Sequence, residues 1–83
     1  MTIAAIEIVD NGSTVNAYED KEHGRVLAVM QRPRIYTAQP YLITVPRTGE
    51  RIERRNAGLA YAALKRLAFA EWYAINPEAE TAR

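Results

Sequence analysis

The chain has 83 residues, no cysteine, one histidine and a net charge of +1. A domain of this length buries only about 60% of the surface its unfolded chain exposes, which leaves no room for a core plus a separately walled active site. Disulfide staples and Cys/His zinc sites are excluded, so the fold rests on packing, either within the chain or against a partner.

Residues 2–9 read as a strand, rich in Ile and apolar on both alternating faces. Asp10-Asn11-Gly12-Ser13 is a hairpin turn, because Asn-Gly tolerates positive φ. Asn11-Gly12-Ser13 also matches a glycosylation sequon, and is read here simply as that turn. Residues 14–19 return as a second strand, and the polar run 20–24 leads into a third over residues 25–31. There Val26, Ala28 and Met30 oppose Leu27 and Val29. Pro33, flanked by Arg32 and Arg34, breaks this strand because it has no N–H to donate. Residues 35–38 form a short edge segment, and Gln39-Pro40 breaks again.

Residues 41–45 are a fourth strand, and Pro46-Arg47-Thr48-Gly49 is a turn. Residues 50–54 are a short fifth strand, with Ile52 their only apolar side chain; residues 50–55 could instead be an extended arm or the first turn of the helix. Asn56 is an N-cap, and residues 57–75 are a helix ended by Asn76-Pro77. Residues 1–76 therefore make one domain, and 77–83 a frayed tail. Strands followed by one helix predict an α+β fold, with a four- to five-stranded, mainly antiparallel sheet and a long C-terminal helix across it.

The helix has little polar face. On a wheel, Ala60, Leu64, Leu67, Ala68 and Ile75 gather on one side, with Tyr61 and Trp72 at its edge. Leu59, Ala63, Ala70 and Ala74 form a flatter strip, and Phe69 and Tyr73 take the remaining side. Its only charges are Lys65, Arg66 and Glu71. A helix apolar nearly all round is covered on more than one side. Either the sheet curls around it, or a second molecule covers it, most simply another copy. The expectation is a homodimer through Tyr61, Phe69, Trp72 and Tyr73, with Leu64 and Leu67 on the sheet.

Charge is unevenly spread. Glu7, Asp10, Glu19, Asp20 and Glu22 stand against Lys21 in residues 1–24. Arg25, Arg32, Arg34, Arg47, Arg51, Arg54 and Arg55 stand against Glu50 and Glu53 in residues 25–55. Arg32, Arg34, Arg47, Arg51, Arg54 and Arg55 are candidate phosphate-binding residues, since guanidinium forks suit phosphate. The order of strands, basic hairpin and helix over residues 25–75 resembles small three-stranded-sheet DNA-binding modules such as integrase arm-binding domains. That resemblance implies a sheet entering the major groove. The competing reading is local surface pairing, Arg47 with Glu50 and Arg51 with Glu53. Tyr36 and Tyr41, beside Arg32 and Arg34, either form a partner-recognition loop or close one end of the sheet.

No catalytic constellation is visible. His23 lies in a charged turn, and Ser13, the only serine, lies in a hairpin turn; neither has an activating partner at defined spacing. The paired carboxylates Glu19/Asp20/Glu22 and Glu50/Glu53 read as solvated surface, and no glycine-rich phosphate loop is present. The expectation is a non-enzyme, with no cofactor, metal or small-molecule substrate. No apolar run reaches the ~18 residues of a membrane span, and the start lacks the basic region of a signal peptide, so a cytoplasmic protein is expected. Nine of the eleven Lys and Arg residues are Arg. With the abundance of alanine, that bias suggests a GC-rich genome, as in actinobacteria and their phages. Together with the small size and the lack of catalytic groups it leaves, as a third reading, a phage or mobile-element accessory protein acting on a host protein.

Overall fold

Each tight turn of the chain reverses a strand onto its predecessor. The computed structural model describes residues 6–19, 24–34 and 39–77. Strands β1 (Ile6–Asp10), β2 (Thr14–Glu19), β3 (Val26–Gln31), β4 (Tyr41–Val45) and β5 (Glu50–Arg54) precede helix α1 (Ala57–Ile75). Sheet order equals chain order, and every pairing is antiparallel. The fold is α+β: a five-stranded open sheet with one helix across it. At the first turn Gly12 takes φ 87°, its N–H donates to Asp10 Oδ1 at 2.9 Å, and Asn11 N–H donates to the Thr14 carbonyl at 2.8 Å. At the β4–β5 turn Gly49 takes φ 78°, a conformation open to glycine at no steric cost.

The strands lie close to where the sequence puts them. Residues 50–54 are a strand rather than an arm, and the third strand starts at Val26. The expected start of the first strand, the edge segment at 35–38, and His23, Tyr36, Asp20 and Glu22 lie outside the described residues, as does the tail from 78 onward.

Register sorts the side chains. Asp10, Val15, Met30, Ile43 and Ile52 stand opposite one another across all five strands. Val15, Met30 and Ile43 are fully buried beneath α1, with Leu27 and Leu64; each such side chain contributes about 1.5–3 kcal/mol. The other face of the sheet carries the row Val9, Asn16, Val29, Thr44 and Arg51, with Tyr18 and Val26 beyond it.

One alternation differs from expectation. Ala17 pairs with Ala28 but Tyr18 pairs with Val26, so Leu27 is an extra residue in a β-bulge. The bulge lets consecutive Leu27 and Ala28 both be buried, and turns Val26 to the opposite face, where it is 38% exposed.

Helix α1 is fixed at both ends. Asn56 Oδ1 accepts from Leu59 N–H at 3.2 Å, satisfying a first-turn amide. Asn76 donates from its side chain to the Trp72 carbonyl at 2.8 Å and to Glu19 Oε2 at 3.1 Å, tying the helix end to β2. The helix packs chiefly over β3 and β4 and also meets β2 and β5.

Candidate interaction site

The sheet decides which helical residues remain outside. Ala60, Ala63, Leu64, Leu67, Ala68, Glu71 and Trp72 are buried. Trp72 was expected in a contact surface, but it is only 6% exposed and belongs to the core. Its ring packs edge-on to Tyr73, with centroids 5.1 Å apart and planes at 82°. Tyr61 is half-buried against the core, and its hydroxyl accepts from Arg32 Nη2 at 3.1 Å. Of the four residues expected in a contact, Phe69 is exposed, and Tyr73, like Tyr61, is partly buried against the core.

The outer face of α1 therefore consists of Leu59, Ala62, Phe69, Ala70 and the half-buried Tyr73, with Lys65 and Arg66 among them. Leu59 is 58% exposed and Phe69 44%. Glu71, which the wheel counted among the polar residues, is turned inward. Its carboxylate takes Nε and Nη2 of Arg47, the latter to Oε1 at 2.9 Å. The outer face thus carries cations and no anion among the described residues.

The arginines do not form one patch. Arg47 was expected either to bind phosphate or to pair with Glu50; it instead clamps the β4–β5 turn to Glu71 on α1. Hydrogen bonding to that carboxylate raises the Arg47 pKa. Arg32 holds Asp10 through Nη1–Oδ1 at 2.7 Å and Nη2–Oδ2 at 2.9 Å, and also reaches the Gly12 carbonyl at 2.7 Å. This guanidinium, helped by the Gly12 amide, holds the Asp10 carboxyl at about 2. Arg54 donates to the Glu53 carbonyl at 2.7 Å. Arg51 stands on the open sheet face opposite Thr44, and Arg55 is exposed at the entry to α1. Arg34, also exposed, lines a cleft of about 460 Å³ with Arg32, Gln39, Pro40, Leu42 and Glu53.

Glu19 is the second buried carboxylate, 3% exposed. It receives Arg25 Nη2 on both oxygens at 3.0 Å, besides Asn76. The signal for both buried acids was present in the sequence. Glu71 falls within the apolar arc of the helix wheel, and Glu19 alternates with Val15 and Ala17. Tyr41 is half-buried and packs on the core, so it closes the sheet. Ser13 is exposed in the first turn. Among the described residues no three acids or histidines gather as a metal site, and no helix is long and apolar enough to cross a membrane.

No family model, curated protein or solved structure matches the chain.

Proposed function

We propose that this chain is a small, non-enzymatic protein-binding module that self-associates through the outer face of α1. The observation carrying this reading is the exposure of Leu59 and Phe69 on a helix whose other side is already packed. Isolated exposed apolar residues are ordinary, but a stripe at positions 59, 62, 69, 70 and 73 is a helix-pairing pattern. The face also carries its own complement. In an antiparallel pair about a two-fold axis, Arg66 of one copy meets Phe69 of the other, and a guanidinium on an aromatic ring is favourable.

Magnitude sets the strength of such a contact. The stripe from Leu59 to Tyr73 is about 21 Å long at ~1.5 Å per residue and ~10 Å wide. That footprint is well short of the ~800 Å² per partner of a standard interface, so the contact is weak and concentration-dependent. Sedimentation across a concentration series tests it. The expected result is a rising mass that Phe69→Glu lowers; a constant monomer mass refutes it.

The nucleic-acid reading draws support only from Arg51 and Arg55, which are exposed, and from Arg34 and Arg54. Retardation of a DNA duplex at low salt, lost in Arg51→Ala/Arg55→Ala, would favour it over the helix-face reading. An accessory role on a host protein would use the same outer helix face.

A further inference from the structure

The two edges of the sheet are built differently. β5 reads Glu-Arg-Ile-Glu-Arg, and alternating charge blunts an edge against pairing. β1 reads Ile-Glu-Ile-Val-Asp and carries no lysine, proline or bulge. Its one acid on the helix side, Asp10, is tied back by Arg32. Helix α1 makes its main contacts with β2, β3, β4 and β5, and Ile8 of β1 is 36% exposed.

The hydrogen-bond pattern fixes which backbone groups face outward. Asn11 N–H bonds to the Thr14 carbonyl, and antiparallel pairs alternate between bonded and non-bonded. Val9 and Glu7 therefore spend their N–H and C=O groups on Asn16 and Tyr18, their partners in register. Those of Ile6, Ile8 and Asp10 point away from the sheet.

We infer that β1 is a second self-association surface, pairing antiparallel with β1 of another copy about a two-fold axis at Ile8. With Ile8 opposite Ile8, Ile6 falls opposite Asp10, and all three outward-facing residues find partners, giving about six backbone hydrogen bonds. The two Ile8 side chains meet on the helix side. Glu7 falls opposite Val9, so no like charges confront each other. Shifting the axis to Glu7 sets Glu7 against Glu7, and shifting it to Val9 carries Ile6 past the end of β1 to the turn at Gly12. The product is a continuous ten-stranded sheet with both helices on the same side. This inference rests on the sheet edge, independently of the helix face.

The test is sedimentation of the full chain as wild type, Ile8→Lys, Ile8→Pro and Phe69→Glu, with far-UV circular dichroism to confirm folding. Both Ile8 variants are expected to lose this contact, since lysine and proline are the natural blockers of an edge. Phe69→Glu is expected to remain a dimer. Amide exchange gives an independent readout: the Ile8 N–H is expected to slow by about tenfold or more from dilute to concentrated wild type. Two results overturn the inference: an Ile8 amide whose exchange does not change with concentration, or folded Ile8→Lys that associates as wild type does. Association lost in Phe69→Glu and kept in both Ile8 variants overturns it while upholding the helix-face reading. A wild-type chain that stays monomeric overturns both. Exchange does not depend on a variant folding, so it decides the matter even if the substitutions disrupt β1.

Discussion

Arg47, in the turn between β4 and β5, holds the carboxylate of Glu71, a residue 6% exposed on the sheet side of α1. One of the three charged side chains of the helix thus anchors its inner surface. The two partners are not equivalent: Arg47 is half-exposed, whereas Glu71 is enclosed.

This asymmetry makes the two single substitutions unequal. Arg47→Ala leaves a buried carboxylate without its cation, whereas Glu71→Met leaves a guanidinium that can turn to water. Glu71→Met is expected to stay within about 1.5 kcal/mol of wild type, and Arg47→Ala to lower the melting temperature by more. Thermal unfolding of the two variants checks the order. Equal losses would mean that the pair matters only through its attraction.

Trp72 and Phe69, neighbours by one helical turn, are expected to behave oppositely. Trp72→Ala removes a core aromatic, at a cost of about 3–5 kcal/mol. A domain this small commonly has no more than that to lose, so the variant unfolds. Phe69→Ala costs about 1 kcal/mol or less and weakens self-association. Circular dichroism and sedimentation on the same samples separate the effects.

Asp10 gives a pH signature. Its folded pKa of about 2, lowered by the Arg32 hydrogen bonds, lies below the ordinary carboxylate range. Its contribution to stability is therefore complete above about pH 4 and is lost as pH falls through 2. Asp10→Asn is expected to show a shallower loss of stability than wild type across that window, and Arg32→Ala likewise. Denaturant melts at successive pH values provide the check. Parallel curves for wild type and Asp10→Asn would show that Arg32 does not hold the carboxylate.

Salt distinguishes the two functional readings by sign. Pairing the outer helix face with its copy gathers Lys65 and Arg66 from both chains, so added salt screens repulsion and strengthens association. Binding to nucleic acid weakens with salt, because counterions are released on binding. Mass and retardation, each measured from low to moderate salt, should move in opposite directions.

The extent of the fold was largely legible because local signals agreed. Gly12 and Gly49 sit at turns, Pro77 follows the helix, and Asn56 caps it; these depend on residues a few positions apart. What the chain does at longer range was less legible. The bulge at Leu27 follows from the mismatch between two strands, and no local pattern marks it. Arg47 meets Glu71 because the helix returns over the turn and brings a carboxylate distant in sequence to it. The wheel placed Phe69 and Tyr73 away from Leu64 and Leu67, as observed, but Trp72 sits at the boundary of the apolar arc. Only the sheet beneath it could decide that it points inward.

The bond from Asn76 to Glu19 spans 57 positions of sequence, and it has a bearing on biosynthesis. The hairpins can form as the ribosome delivers them, since each joins strands adjacent in sequence. Leu27, Met30 and Ile43 stay uncovered until α1 has left the exit tunnel. Until then the nascent sheet is a substrate for chaperones that recognise greasy surface, and α1 competes with them for the same side of it.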